Sequence, residues 1–286
     1  MHKIATIGFF DGVHCGHHFL FAQLLEHAKL HNLSPIIYTF VQHPKLVLTG
    51  KQPSLLTSTH ERKYLLEQCA EVRMLNFAEV QHLTAEQFMR YISEKDNVQM
   101  LLMGYDHCFG SDRVKGFSEY AKIANRVGLH IERAHECLVD GIPVSSSRVR
   151  KLLDEGQMEQ VNRLLGYKYT LTGEVVRGNS IGNQIGYPTA NISYSPERKL
   201  PLLGVYAATV KLDGVEFPAV VNIGHNPTVG NLQISVEAHL IDFQGDLYGK
   251  CIAVSFRSFI RPERKFTSLE KLQLQIKKDI QSLDGI

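Results

Sequence analysis

The sequence has few cysteines, little net charge and no long apolar run, and each shortage argues against a class of protein. The five cysteines are scattered and include no Cys-x-x-Cys pair, which indicates reduced thiols in a cytoplasmic protein. The formal net charge is only +2, so the basic excess of a nucleic-acid groove is missing. The N-terminus enters a strand pattern directly, and no apolar stretch is long enough to cross a bilayer. We therefore expect a cytoplasmic protein that binds neither nucleic acid nor membrane.

The 286 residues suit two domains, and they show two different secondary-structure patterns. Strand and helix patterns alternate through residues 1–164, which predicts a parallel sheet with helices on both faces. From residue 165 onward, β-branched and alternating runs are separated by turn signals such as Asp213-Gly214. This half is predicted to be a small antiparallel barrel or sandwich closed by one C-terminal helix.

The element boundaries follow from these patterns. The first half is predicted to contain strands Ile4–Ile7, Pro35–Phe40, Glu71–Leu75, Gln99–Met103 and Leu129–Glu132, and helices Phe19–Leu30, Glu61–Ala70, Ala85–Ser93, Phe117–Val127, Ser147–Asp154 and Met158–Leu165. The second half is predicted to contain strands Tyr169–Val176, Val205–Leu212, Phe217–Val221, Ser235–Leu240 and Cys251–Phe256, and helix Ser268–Ser282.

A segment rich in glycine and histidine, GFFDGVHCGH at residues 8–17, follows the first predicted strand and opens the first helix. Glycines at such a turn let the backbone approach a phosphate, and the helix N-terminus supplies N–H donors. His14 and His17 are three residues apart, so both can face a polyphosphate, and Gly16 leaves room for a nucleotide. A tight turn with surface histidines would explain H-x-G-H alone, but the full string favours a phosphate site.

A second glycine-spaced segment, residues 178–191, ends in Pro-Thr-Ala-Asn. The backbone of Gly178, Gly182 and Gly186 can donate N–H groups, and the Thr189 hydroxyl and Asn191 amide suit Mg²⁺ or a phosphate. Its spacing differs from a Walker loop, and taken alone an irregular turn would be the simpler interpretation.

Glu237 lies in the predicted strand Ser235–Leu240, where Val236, Ala238 and Leu240 should share one face. Glu237 and His239 would then share the opposite face. An exposed strand carboxylate is the plain interpretation of Glu237 when the neighbouring motifs are ignored.

Over nearly the whole chain, these segments resemble the bacterial bifunctional riboflavin kinase/FAD synthetase family. Similar motifs are found at Leu56-Thr57 with Glu61, and at residues 104–110, 144–150, 222–228 and 242–249. The resemblance implies a Rossmann-like nucleotidyltransferase domain over residues 1–164 that adenylylates FMN. It implies a riboflavin kinase β-barrel over residues 165–286. ATP with Mg²⁺ and the flavins would be the ligands.

The resemblance also implies roles for particular residues. Glu237 would be the catalytic base of the kinase, and His14 and His17 would act in adenylyl transfer. ATP or its phosphates would contact Gly8, Phe9, Asp11, Gly16, Asp106, Ser145, Ser146, Ser147, Arg150, Gly178, Gly182, Gly186, Thr189 and Asn191. Flavin would contact His43, Asn226, Asp246 and Tyr248, and Thr189 and Asn191 would hold the metal.

The chain departs from the family pattern at Val41 and Gln42, before His43-Pro44, and at Asn183, where a basic residue is common. These departures keep open an enzyme with only one of the two activities. A flavin-binding regulator without turnover is a second alternative, although it would not need a base at Glu237. A third is another adenylyl- or cytidylyltransferase with an unrelated β-domain. The oligomeric state is not predicted.

Overall fold

The computed structural model describes residues 2–178, 186–225 and 234–285. The chain packs as two compact units, Met1–Ser146 and Ser147–Ile286. Three positions singled out above, Gly182, Asn183 and Asn226, lie outside the described residues. Among the described residues, no helix has both the length and the apolar character needed to cross a membrane.

The first unit is built on a five-stranded sheet whose adjacent strands all run parallel. The strands are β1 (Lys3–Ile7), β2 (Ser34–Phe40), β3 (Glu71–Leu75), β4 (Val98–Met103) and β5 (His130–Arg133). Their order is β3-β2-β1-β4-β5. The chain adds β2 and β3 on one side of β1, and then adds β4 and β5 on its other side. The direction of strand addition therefore reverses between β1 and β4, which is the topological switch point of the sheet.

Helices cover both faces of this sheet, as predicted. They are α1 (Cys15–Leu30), α2 (Pro44–Thr49), α3 (Thr59–Glu67), α4 (Phe77–Val80), α5 (Ala85–Asp96) and α6 (Phe117–Val127). Alternate residues of β1 serve two separate apolar cores. Ala5 and Ile7 belong to the core beneath α5 and α6, and Ile4 belongs to the core beneath α1. A two-stranded hairpin, β6 (Leu138–Val139) and β7 (Ile142–Pro143), follows the sheet.

The second unit is a closed six-stranded barrel in which all paired strands are antiparallel. Its strands are β8 (Thr170–Val176), β9 (Ala190–Ser193), β10 (Gly204–Leu212), β11 (Val215–His225), β12 (Ile234–Leu240) and β13 (Cys251–Arg261). Helices α7 (Ser146–Asp154) and α8 (Met158–Leu165) precede it, and α9 (Leu269–Gln281) follows it. The prediction of a barrel and a C-terminal helix is confirmed.

Several boundaries differ from those predicted, for physical reasons. α1 begins at Cys15 instead of Phe19, because the end of the segment rich in glycine and histidine forms the first turn of the helix. β11 and β13 are each 11 residues long, which is longer than predicted. In a closed barrel every strand is paired along both edges, so polar positions such as Asn222 also remain in the strand. The four-residue strand β9 was not predicted, nor were the short helices α2 and α4 or the β6–β7 hairpin.

Candidate active sites

The first candidate site lies where three loops leave the carboxyl ends of β1, β2 and β4. In open sheets of this kind, ligands bind in the crevice at the switch point. The loop after β1 carries residues 8–14, the loop after β4 carries residues 104–110, and His43 follows β2. Two motifs that are almost a hundred residues apart in sequence are therefore placed at the same edge of the sheet.

The loop after β1 has an unusual backbone. Phe10, Gly12 and Val13 all have positive φ, at 57°, 79° and 35°. For Phe and Val this conformation is costly, and it is held by the burial of both side chains, which are 5% and 0% exposed. A Cβ at Gly8 would lie 2.7 Å from the Phe10 ring. Glycine at position 8 therefore permits this loop.

His14 and His17 stack on each other at the start of α1. Their ring centroids are 3.6 Å apart and the planes differ by 15°. A Cβ at Gly16 would lie 3.1 Å from the His14 ring, so the glycine between them leaves space for the stack. The structure thus brings the two predicted histidines together on one face of the first turn.

Burial lowers the pKa of His17 well below its ordinary value, and the neighbouring His14 and His18 lower it further. The imidazole of His17 is therefore neutral at pH 7 in the free protein. A neutral imidazole donates one N–H hydrogen bond and can polarise a phosphate oxygen without carrying a full charge.

Asp11 has a different surrounding from the one expected for a phosphate ligand. Its carboxylate is 4% exposed and accepts hydrogen bonds from the backbone N–H groups of Leu56 and Thr57 at 3.0 and 3.1 Å. Its own carbonyl oxygen accepts a bond from the Ser146 hydroxyl at 2.9 Å. The carboxylate ties the loop after β1 to residues 56–57, which explains why Leu56-Thr57 belongs to the motif set.

The Phe9 ring contacts both an imidazole ring and a guanidinium group, and the sequence did not predict these contacts. Its ring centroid is 4.4 Å from that of His43, and the Arg62 guanidinium carbon lies 3.9 Å above the Phe9 ring. Arg62 is fully buried and donates to the Phe40 carbonyl at 2.6 Å. Arg62 therefore links α3 to the crevice, and only tertiary structure shows it.

The other predicted phosphate ligands differ in their exposure to solvent. Asp106 is exposed in the turn after β4, and Ser145 and Ser147 are exposed on either side of Ser146. Arg150 lies on α7 and is half-buried. Nothing in the structure tests their contact with ATP, so these assignments stay predictions.

The second candidate site is a row of three polar side chains on adjacent strands of the barrel. Glu237 on β12 is paired directly with Asn222 on β11 and with Asn191 on β9. Directly paired residues project from the same face of a sheet. The apolar neighbours Val236 and Ala238 point into the barrel and are buried, so the row faces outward, as predicted for Glu237. The Ser235 hydroxyl donates to Glu237 at 3.2 Å.

Glu237 opens into a cavity of about 310 Å³. Asn222 and Thr189 also line this cavity, together with apolar side chains that include Val220 of the barrel, Leu272 of α9 and Phe266 of the segment between β13 and α9. Charged side chains line it as well, namely Arg261, Glu263, Arg264 and Asp279. The cavity thus places an apolar patch beside polar and charged groups, which suits a flat ring with a hydroxylated arm.

A buried ion pair fixes α9 beside this cavity. The Arg261 guanidinium donates to both carboxylate oxygens of Asp279, at 2.8–3.1 Å, and Asp279 is only 2% exposed. Gln275 donates to the same carboxylate at 2.8 Å. Arg261 and Asp279 were not predicted, because no local pattern links a strand end to a helix 18 residues later.

A second, larger cavity of about 520 Å³ is lined by the segment 243–248 and by Pro188, Thr189 and Ala190. Thr189 is shared by both cavities. Asp246 and Tyr248, the predicted flavin contacts, line this larger cavity and are absent from the lining of the one that holds Glu237. The Asp246 carboxylate accepts a bond from the Tyr248 backbone at 2.9 Å.

Gly178 and Asn191 are in close contact. A Cβ at Gly178 would lie 2.1 Å from the Asn191 amide nitrogen, so this position requires glycine. Gly186 adopts positive φ, at 76°. The ends of the predicted glycine segment are therefore placed next to Thr189 and Asn191, and its centre lies outside the described residues.

Comparison with known proteins decides between the families that could carry these sites. Residues 1–148 match the FAD synthetase family and residues 165–286 match the riboflavin kinase family. The chain is 36% identical over 282 residues to the bifunctional riboflavin kinase/FMN adenylyltransferase of Pseudomonas fluorescens, spanning 97% of this chain and 90% of that protein. The chain belongs to the bifunctional riboflavin kinase/FMN adenylyltransferase family.

Further relatives of the riboflavin kinase/FMN adenylyltransferase family show the same extent of match. The proteins of Haemophilus influenzae and Listeria monocytogenes, with the same name, are 34% and 32% identical over 97% and 98% of this chain, and over 92% and 91% of their own lengths. Among solved structures, one described as a macrolide-efflux protein from Streptococcus pneumoniae superimposes with a TM-score of 0.90 at 28% identity, covering 99% of this chain and 94% of that one. The whole two-part fold is therefore shared.

Proposed function

We propose that the chain phosphorylates riboflavin to FMN and then adenylylates FMN to FAD with release of pyrophosphate. The observation that carries this proposal is the outward row of Asn191, Glu237 and Asn222 beside the cavity under α9, in a chain whose other unit places His14 and His17 at a nucleotide crevice. These two groups of residues support a proposal that includes both activities.

In the kinase step, the ribityl hydroxyl of riboflavin attacks the γ-phosphorus of ATP, and ADP leaves. A neutral alcohol is a poor nucleophile, so a carboxylate must accept its proton as the new O–P bond forms. Glu237 is that base. Flavin therefore occupies the cavity that contains Glu237, with its ring against the apolar side chains of α9 and the barrel.

ATP then enters the larger cavity and reaches the hydroxyl near Thr189, which both cavities share. In this proposal Asp246 and Tyr248 contact ATP, whereas the family resemblance implies flavin, because they line the larger cavity and Glu237 lines the other. The backbone of Gly245, with φ 150°, borders that cavity and suits close approach by a phosphate or ribose.

Thr189 and Asn191 would hold Mg²⁺ with the help of ATP phosphates. The donor set fits this ion, since a hydroxyl and an amide oxygen are both hard oxygen ligands. The contact of Asn191 with Gly178 holds its amide beside the glycine segment. When bound, Mg²⁺ neutralises charge on the phosphates during transfer.

The adenylyl step needs no base. The FMN phosphate has a second pKa near 6 and is largely dianionic at pH 7. One of its oxygens attacks the α-phosphorus of ATP, and pyrophosphate leaves. His14 and His17 stabilise the charge that develops on the phosphates by donating hydrogen bonds from preset positions, and Ser146 supports the loop that presents them.

Product analysis tests the proposal. The full chain is incubated with riboflavin and MgATP, and the flavins are separated by chromatography. We expect FMN to appear first and FAD to follow. FMN without FAD, or FAD from added FMN only, would favour an enzyme with one activity, and unchanged riboflavin and FMN would favour the flavin-binding regulator.

A further inference from the structure

A group of histidines near the C-terminal end of α1 has no part in the reactions above. His27 and His31 are one helical turn apart, and β5 contributes Glu132 and His130 beside them. One nitrogen or oxygen atom from each of His27, His31 and Glu132 lies within 4.8 Å of the others. In the part of the chain that the structure describes, this is the only trio of His, Cys, Asp or Glu with such a spacing.

The Glu132 carboxylate is already held in place. One oxygen lies 3.3 Å from His27 Nε2 and the other lies 3.0 Å from His130 Nε2. The His27 and His31 rings are parallel, with centroids 6.1 Å apart. The three groups therefore converge from a helix and a strand without large side-chain movement.

The group is distant from the nucleotide crevice. His17 lies in the first turn of α1 and His31 caps its C-terminal end, 14 residues later, which corresponds to about 20 Å along the axis. His31 is exposed, and His27 and Glu132 are half-buried, so an ion can reach the group from solvent.

We propose that His27, His31 and Glu132 bind a divalent transition-metal ion, with Zn²⁺ the best fit, and that His130 orients the carboxylate. Two imidazoles and one carboxylate are a common zinc ligand set, with water in the fourth position. Histidines at i and i+4 of a helix present their nitrogens to one ion. The hydrogen bond between His130, which is not itself a ligand, and the Glu132 carboxylate is the kind of outer contact that fixes ligand orientation.

The bound ion would tie α1 to β5. β5 is an edge strand of the sheet and contacts α1 here through the side chains of Glu132 and His27. Since binding requires the folded arrangement, Zn²⁺ should stabilise the first unit, with a rise in melting temperature that grows with the free metal concentration.

Titration calorimetry with ZnCl₂ tests this proposal on full-length protein without an affinity tag and without nucleotide. We expect binding of one equivalent. His31→Ala should weaken it at least about tenfold, while the contacts of Glu132 with His27 and His130 remain, so the fold should persist. Glu132→Gln, which keeps the side-chain shape, should weaken it similarly. His82→Ala, at an exposed histidine elsewhere in the unit, is the matched control.

Co²⁺ absorption provides a second readout. A protein-bound ion with nitrogen and oxygen ligands should give visible bands that His31→Ala abolishes and His82→Ala leaves unchanged. Circular dichroism of each variant confirms folding. The proposal is overturned if the wild-type protein binds no stoichiometric Zn²⁺. It is also overturned if His31→Ala and Glu132→Gln bind as tightly as wild type, which would place the ion at another group such as His14, His17 and His18.

Discussion

At the scale of single residues, the proposed kinase step depends on Glu237 as the base. Glu237→Gln keeps the volume and most hydrogen bonds but removes the base. FMN formation from riboflavin should fall by about 10²–10⁴-fold, while the conversion of FMN to FAD continues. Initial rates of both reactions on one preparation measure this. Glu216→Gln, an exposed carboxylate on β11, is the control, and a variant that still makes FMN within a few-fold of wild type would exclude Glu237 as the base.

His17 carries the complementary prediction. His17→Ala removes a buried donor from the nucleotide crevice, and loss of one such donor typically costs about 10²–10³-fold in rate. FAD formation from FMN should fall by that factor and FMN formation should stay near wild type. His82→Ala should change neither rate. Equal loss of both activities in a folded His17 variant would mean that the two reactions share a site.

The environment of His107 should make the free energy of unfolding depend on pH. Burial lowers its pKa from 6.5 to about 4, so the imidazole is neutral when folded and becomes charged on unfolding at any pH between these values. The folded state therefore loses stability as the pH falls from about 6.5 toward 4, by about 3 kcal/mol in all for this group. His17 acts in the same direction.

Urea unfolding followed by circular dichroism at pH 7.5 and pH 5 measures the effect of His107. His107→Gln should lose less stability between the two pH values than wild type does, and exposed His82→Gln should match wild type. An identical pH dependence in the His107 variant and in wild type would show that its pKa is close to normal in the folded protein.

At the scale of helices and strands, the sequence predicted those features of the sites that depend on a local residue pattern. The alternation in Ser235–Leu240 placed Glu237 on the outward face, and helical spacing placed His14 beside His17. The row of Asn222, Glu237 and Asn191 depends on strand register, which the pattern of one strand does not contain. The burial of Arg62 against Phe9 likewise depends on tertiary packing. The proposed division of flavin and ATP between two cavities likewise rests on the three-dimensional structure of the barrel.

Helix α8 gives a prediction at the same scale. The prediction divides the domains between residues 164 and 165, and α8, which spans that division, packs with the second unit. Val161 and Leu165 are buried, and Asn162 donates to the Phe256 carbonyl on β13 at 2.9 Å. Removing α8 exposes the apolar surface that it covers on the barrel.

A fragment of residues 147–286 should therefore fold and phosphorylate riboflavin, with a higher melting temperature than a fragment of residues 165–286. Thermal unfolding and an FMN-formation assay compare the two. Equal melting temperatures would contradict a stabilising role for α8. A folded 147–286 fragment without kinase activity would contradict the assignment of the whole kinase site to this unit.

At the scale of the whole molecule, the two proposed reactions use separate sites, one in each unit, with FMN as the product of one and the substrate of the other. In the proposed kinase site, the barrel supplies a base for an alcohol. In the proposed adenylyl-transfer site, the parallel sheet supplies hydrogen-bond donors for a nucleophile that is already ionised. Such a division requires FMN to leave the first site before it reaches the second.

Mixing the two single variants tests this claim most directly. Glu237→Gln alone and His17→Ala alone should each fail to make FAD from riboflavin and MgATP at the wild-type rate. An equimolar mixture should make FAD, because FMN released by the His17 variant becomes substrate for the Glu237 variant, and the double variant should not. A mixture that makes no more FAD than the separate variants would contradict two independent sites.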